Sequence, residues 1–126
     1  MTRTTRLERG KNAERSGRFA EALATLLLRC KGYRILTRRL RNHGGEIDLI
    51  AQSPSGLTCF VEVKTRPGDG EAVAAVTGRQ RARIVRAAEI YLSRRKTVRG
   101  VRFDVISVVP GRLPRHIRDA WRPDEL

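Results

Sequence analysis

The stretch GEIDLIAQSPSGLTCFVEVKT, residues 45–65, decides the fold of this chain. Two runs rich in β-branched and other apolar residues, 46–51 and 57–64, flank a short segment that contains Pro54 and Gly56. Pro and Gly are typical of turns, and runs of this length and composition are typical of strands. The stretch therefore predicts a β-hairpin that turns about Ser55.

The charged residues of this hairpin fall on alternate positions. Side chains alternate between the two faces of a strand, so Glu46 and Asp48 share one face, and Glu62 and Lys64 share one face of the next strand. A turn about Ser55 places Asp48 across from Glu62 and Glu46 across from Lys64. Spacing alone leaves two interpretations open, which are a site for a hard divalent cation and a set of ordinary cross-strand ion pairs.

Outward from the hairpin, apolar periodicity predicts further elements on both sides. The predicted order is helix, three strands, helix and strand (αβββαβ), a mixed central sheet flanked by helices, in the α/β class. A basic N-terminal arm, 1–16, is expected to be mobile, and residues 17–126 are expected to form a single domain. The predicted elements are a helix at 17–31, strands at 33–40, 46–51 and 57–64, a helix at 76–94, a strand at 101–109 and a helical turn near 117–121.

Each predicted helix carries an apolar stripe. In the first helix the stripe comprises Phe19, Leu23, Leu26, Leu27 and Cys30, which recur at steps of three and four residues and so predict the face that packs on the sheet. In the second helix the stripe comprises Ile84, Ala87, Ala88, Tyr91 and Leu92. Both cysteines, Cys30 and Cys59, are expected to be buried free thiols.

The charge balance bears on the partner. The chain of 126 residues has 27 Lys and Arg against 13 Asp and Glu, for a formal net charge of +14. This excess predicts binding to the phosphate backbone of nucleic acid. An anionic membrane surface is the rival interpretation, and a compositional bias toward Arg is the simplest one. No apolar run approaches the ~18 residues of a membrane span, and no secretory signal is evident, so a cytoplasmic protein is expected.

The acidic residues are distributed unevenly along this basic chain. Five of the 13 lie between Glu46 and Glu71, where the only basic residues are Lys64 and Arg66. Such an island favours a cation site at the point where phosphate is handled. Asp104, on the last predicted strand, is expected to be a structural partner of a buried Arg rather than a metal ligand.

These motifs resemble those of a known family. The segments 45–50 (GEIDLI) and 60–66 (FVEVKTR) are similar to the YraN-like family of small bacterial proteins. That family is related to the archaeal Holliday-junction resolvases within the PD-(D/E)xK, or restriction-endonuclease-like, superfamily. The similarity covers most of the chain and also includes Glu21, Gly32–Leu36, Ala72–Val73, Val76–Thr77, Arg81 and Arg102–Val105.

The resemblance implies a restriction-endonuclease-like core and assigns roles to individual residues. Asp48 and Glu62 resemble the metal-ligating acids, and Glu21 resembles a helix glutamate that completes the metal site in related resolvases. Lys64 resembles the signature lysine that offsets charge at the scissile phosphate. Asp48, Glu62 and Lys64 are thus the expected catalytic residues, and Mg²⁺ or Mn²⁺ the expected cofactor.

The function expected from these observations is divalent-metal-dependent endonucleolytic hydrolysis of DNA, either double-stranded or branched. The alternative is a non-catalytic nucleic-acid-binding module with a vestigial nuclease fold, and no membrane partner is expected. A homodimer is expected only by analogy with the resolvases. The arginines expected to contact phosphates are Arg41, Arg66, Arg79, Arg81, Arg83 and Arg86.

Overall fold

A five-stranded mixed sheet forms the centre of the computed structural model, which describes residues 6–65, 69–95 and 99–123. The strands lie in the order β1-β2-β3-β4-β5; β3 and β4 are parallel and the other neighbours are antiparallel. The elements are α1 (Arg6–Cys30), β1 (Arg34–Asn42), β2 (Gly45–Gln52), β3 (Thr58–Lys64), α2 (Asp69–Ala74), α3 (Gly78–Ser93), β4 (Val101–Ser107) and β5 (Arg115–Trp121).

The sheet has an apolar core on each side. One core, which includes Leu49 and Val61, packs against α1, and the other, which includes Ile50 and Phe60, packs against α2 and α3. Neighbouring residues of one strand thus enter different cores, as the alternation of side chains requires. The predicted α/β class, with a mixed sheet flanked by helices, is confirmed, and the arrangement is consistent with a restriction-endonuclease-like core.

The α1 helix differs from the prediction in its start and in its buried face. It begins at Arg6 rather than Gly17, so part of the predicted arm is helical; residues 1–5 lie outside the described residues, and mobility of the arm stays a prediction. The buried residues are Ala20, Ala24 and Leu28, whereas Phe19 (67% exposed), Leu26 (57%) and Cys30 lie toward solvent. Leu23 and Leu27 of the predicted stripe do pack against this core, so the prediction is right for these two residues and wrong for Phe19, Leu26 and Cys30; the small residues Ala20 and Ala24 let the helix lie close to the sheet.

Two further differences concern the segments around α3. A short helix, α2, precedes α3 and was not predicted. The helical turn predicted near Ile117 was wrong, because Arg115–Trp121 forms β5 and pairs with β4. The ring centroids of Trp121 and Phe103 are 4.4 Å apart. This aromatic contact helps to explain why the segment pairs with the sheet.

The turn between β1 and β2 packs directly on the backbone of α3. A Cβ atom at Gly44 would lie 2.9 Å from the Ala87 nitrogen, and one at Gly45 would lie 2.8 Å from the Arg83 oxygen. The side-chain amide of Asn42 donates a hydrogen bond of 3.2 Å to the carbonyl of Ala87. This contact fixes the β1–β2 hairpin, and with it Asp48, relative to α3.

Candidate active site

The β2–β3 hairpin turns where the sequence predicted, although its ladder ends at Leu49 and does not include the predicted pairs of Asp48 with Glu62 and of Glu46 with Lys64. Its pairs run from Leu49 opposite Val61 to Gln52 opposite Thr58, which corresponds to a turn about Ser55. Beyond Leu49 the Asp48 carboxylate takes part in the pairing, because the backbone N–H of Val63 donates to its Oδ2 at 2.9 Å. This hydrogen bond fixes the half-buried Asp48 beside Glu62.

Asp48 and Glu62 form a buried acidic pair. Glu62 is only 5% exposed, and burial together with the charge of Asp48 raises its pKa to about 8. Burial also raises the pKa of Asp48, against the opposing effect of the Val63 N–H. The protein therefore retains a proton on this pair at neutral pH, since two adjacent carboxylates are costly to ionise together out of water.

Lys64 lies near this pair and contacts it through a third residue. Its ammonium Nζ donates a hydrogen bond of 3.1 Å to Oε1 of Gln80. The Gln80 amide in turn donates from Nε2 to Oε2 of Glu62 at 2.9 Å. The charge of Lys64 lowers the pKa of both acids but does not cancel the effect of burial. Asp48, Glu62 and Lys64 are thus brought together, as predicted; their catalytic role stays a prediction.

Gln80 belongs to the site and was missed from the sequence. It lies in the first turn of α3, where Thr77 is the N-cap and its hydroxyl accepts from the Gln80 N–H at 3.2 Å. The pattern Thr77-x-x-Gln80 is a capping-box motif, in which the Gln side chain normally reaches back to the cap. Here the side chain contacts Lys64 and Glu62 instead, so the motif predicts the start of the helix but not this contact.

Glu21 lies at the neighbouring cleft, but its carboxylate is already paired. The cleft has a volume of about 240 Å³, and the charge of Glu21 contributes to the raised pKa of Asp48. Arg39 donates from Nε to Oε2 of Glu21 at 2.5 Å. The residues that line the cleft are Gly17, Arg18, Glu21, Arg39, Leu40, Arg41, Glu46, Ile47 and Asp48.

The donor set suits a hard divalent cation. Among the described side chains, no group of three or more His, Cys, Asp and Glu is close enough to hold a metal ion, so Glu21 as a ligand stays a prediction. Two adjacent carboxylates nonetheless match Mg²⁺, which usually takes one or two carboxylates and completes its shell with water and phosphate oxygens. Asp48 and Glu62 are the residues that would hold it.

The predicted phosphate-contacting arginines fall into two groups. Arg79, Arg83 and Arg86 are exposed along α3, and Arg41 is exposed on β1, where it pairs with Glu46 at 3.4 Å. Arg81 instead donates to the carbonyl of Val76 at 3.0 Å, and its guanidinium lies 5.4 Å from the ring centroid of Trp121. Arg66 lies outside the described residues. Phosphate contact by these arginines stays a prediction.

Asp104 occupies the other side of the sheet. It is fully buried, and both carboxylate oxygens accept from the Arg102 guanidinium at 2.8 Å. His116 Nε2 lies 2.7 Å from Oδ2, and the backbone N–H of Asp119 donates to Oδ1 at 2.9 Å. Arg102 also donates to the hydroxyl of Tyr33 at 2.6 Å. The expectation that Asp104 is a structural partner of an Arg is confirmed.

Comparison with known proteins places this chain in a family. Residues 20–108 match the model of a family described as "Uncharacterised protein family UPF0102". A UPF0102 protein of Paramagnetospirillum magneticum is 49% identical over 118 residues, which cover 89% of this chain and 91% of that protein. One of Maricaulis maris is 45% identical over 127 residues, with coverages of 99% and 95%. By these matches the chain belongs to the UPF0102 family.

Proposed function

We propose that this protein is a Mg²⁺- or Mn²⁺-dependent endonuclease that hydrolyses phosphodiester bonds in double-stranded or branched DNA. The observation that carries the proposal is the buried pair of Asp48 and Glu62 beside Lys64. Two adjacent carboxylates repel each other when both are ionised, and a divalent cation held between them would offset that repulsion, in competition with a proton. The net charge of +14 favours a polyanionic substrate.

The side chains divide the chemistry among them. Asp48 and Glu62 would hold a divalent cation, which would supply polarisation of a phosphoryl oxygen and a lowered pKa for a water molecule. Lys64 supplies a compact positive charge for the negative charge that develops at the phosphate in the transition state. Gln80 orients both Glu62 and Lys64, because it accepts from one and donates to the other.

The exposed arginines of α3 supply the affinity for the substrate. Arg79, Arg83 and Arg86 lie on the helix whose first turn carries Gln80, so they extend away from the site on the same element. Contacts of this kind position a duplex without reading its sequence. Aromatic residues make up only 5% of the chain, which disfavours single-strand recognition by base stacking.

A non-catalytic nucleic-acid-binding module is the second candidate, and two observations favour it. The Glu21 carboxylate is paired with Arg39, and the described side chains contain no group of three ligands for a metal. A vestigial site of this kind binds DNA through arginine without cutting it. Both candidates predict DNA affinity that falls steeply with salt, by about 0.9 in the log–log slope for each neutralised phosphate.

Cleavage of a panel of DNA shapes separates the two candidates. Linear, nicked and four-way-branched duplexes are incubated with the protein and Mn²⁺, with Mg²⁺, or with EDTA. We expect metal-dependent cleavage by the wild type and none by Asp48→Ala, which should still bind the duplex. Salt-dependent binding by both proteins without cleavage of any shape would favour the binding module. Binding that does not change between low and moderate salt would contradict both.

A further inference from the structure

The backbone at Arg39 departs from the strand that contains it. The β1–β2 pairs on either side, Arg38 opposite Leu49 and Leu40 opposite Ile47, bracket Arg39 and Asp48. Arg39 therefore lies next to Asp48 across the sheet. Its φ angle is 50°, a left-handed conformation that non-glycine residues adopt only when the surrounding structure holds them there.

The side chain of Arg39 reaches Glu21 on α1. Its Nε contacts Oε2 of Glu21 at 2.5 Å, and the two side chains are 45% and 21% exposed. A partly exposed pair with a short contact is open to competition, because other charges can reach both partners from solvent. The described hydrogen bonds of Arg39 include no second acceptor.

The three groups border a single space. Glu21, Arg39 and Asp48 all line the cleft of about 240 Å³. The negative charge of Glu21 acts on Asp48 across it. Arg39 thus offsets part of the negative charge that Glu21 adds to the acidic pair.

We propose that Arg39 is a positioning residue that exchanges Glu21 for a substrate phosphate, so that Glu21 becomes available to a divalent cation when nucleic acid is bound. The inference rests on the proposed nuclease function. A guanidinium and a divalent cation repel each other on one carboxylate, so Arg39 and the metal compete for Glu21. A phosphate oxygen entering the cleft offers Arg39 another anionic partner.

This exchange couples the two ligands thermodynamically. A duplex that withdraws Arg39 from Glu21 strengthens metal binding, and by linkage the metal strengthens duplex binding. In the absence of nucleic acid, Arg39 keeps metal affinity low. Removal of the Arg39 side chain should therefore mimic part of the effect of the substrate.

Binding of Mn²⁺ to the protein without DNA, followed by electron paramagnetic resonance of the free ion, tests this directly. Arg39→Gly is the informative variant, because glycine accepts the left-handed backbone; Arg39→Asn, which also tolerates that conformation, is a second one. We expect either to bind Mn²⁺ on the order of five- to tenfold more tightly than the wild type. The gain should disappear in the double variant with Glu21→Gln.

Arg41→Ala provides the matched control. Arg41 lines the same cleft on the same strand but pairs with Glu46, so its loss removes an equal charge and frees Glu46 rather than Glu21. It should change Mn²⁺ affinity about twofold or less, as expected for a screened surface charge. Equal gains for Arg41→Ala and Arg39→Gly would overturn the exchange.

The outcomes also distinguish this inference from the proposed function. Mn²⁺ binding that Asp48→Ala abolishes but Arg39→Gly leaves unchanged would defeat the exchange and leave the metal site intact. Failure of all the proteins, Arg39→Gly included, to bind Mn²⁺ would defeat both. Circular dichroism of each variant verifies that the fold is retained.

Discussion

Two buried acidic sites lie on neighbouring strands of the sheet, and the protein compensates their negative charge in opposite ways. Asp104, which faces α1, has Arg102 and His116 in direct contact. Glu62, which faces α3, has another acid beside it and meets Lys64 only through Gln80. Although burial alone raises the pKa of Asp104, hydrogen bonds from His116 and Arg102 hold it below its ordinary value, whereas the pKa of Glu62 rises to about 8.

The difference indicates which buried acid serves the fold and which is open to a ligand. A carboxylate that already accepts hydrogen bonds from several protein donors has no oxygen lone pair left to coordinate a cation. An acid left with a like-charged neighbour stabilises the protein more once a cation arrives. Both residues are buried carboxylates on neighbouring strands, so burial alone does not separate them.

Loss of the Asp104 carboxylate should give the largest effect on stability. Asp104→Ala leaves Arg102 and His116 as buried donors without their acceptor, and breaking a buried ion pair in this way costs about 3–5 kcal/mol. Urea denaturation at neutral pH measures it. Glu46→Ala, which breaks the exposed pair with Arg41, should change the free energy of unfolding little. Similar losses for the two variants would remove the distinction drawn for Asp104.

The sequence was sufficient for the hairpin because its register follows from local alternation. Asp48, Glu62 and Lys64 were found by counting in twos along β2 and β3, and a buried sheet with one turn leaves little other freedom. The sequence was insufficient where contacts join distant segments. Gln80 reaches Glu62 and Lys64 only through the packing of α3 on the sheet, and Arg39 meets Glu21 only because α1 packs beside β1; no local pattern encodes either contact.

The α1 and β5 errors have the same origin. Phe19 fits a core stripe by hydrophobicity, but Ala20 permits the closer approach of the helix to the strands. Residues Arg115–Trp121 show no clear strand alternation, and their state is decided by pairing with β4 and by the stacking of Trp121 on Phe103. Tertiary contacts thus override local preference in both segments.

Replacement of Lys64 tests whether the site of Asp48 and Glu62 catalyses cleavage. Lys64→Ala should bind metal and DNA nearly normally and cleave on the order of 10²–10³ more slowly, because a positioned charge is lost from the transition state. Lys64→Arg should not rescue the rate, since a planar guanidinium does not replace a compact ammonium. Single-turnover cleavage with Mg²⁺ at saturating enzyme isolates this step.

The control for Lys64 comes from the opposite face. Lys31 contacts Nδ1 of His116 at 2.6 Å, within the network of Asp104, so Lys31→Ala removes the same kind of charge away from the acidic pair. Its cleavage rate should match that of the wild type under conditions where it is folded. A wild-type rate for Lys64→Ala would remove Lys64 from the mechanism and leave the two faces equivalent.

Replacement of Glu62 should give the smallest change in the free energy of unfolding, and that change should depend strongly on pH. The pKa of Glu62 is raised from the model-peptide value of 4.5 to about 8, so the folded state holds a proton that the unfolded state releases. Stability from this group is therefore fully present below pH ~4.5 and is lost as the pH rises toward about 8. The pH dependence from Asp104 has the opposite sign: because its pKa is lowered, its contribution to stability is lost only as the solution becomes acidic.

The Glu62→Gln variant, which cannot ionise at this position, tests the argument. Above pH 8 in EDTA its free energy of unfolding should exceed that of the wild type by about 1–2 kcal/mol, and the difference should close toward pH 4. Mn²⁺ should reverse the order at high pH, because it stabilises the ionised pair of the wild type and has one carboxylate fewer in the variant. Unfolding followed by circular dichroism across this pH range, with and without Mn²⁺, makes the comparison; parallel pH profiles for the two proteins would mean that Glu62 is satisfied in the same way as Asp104.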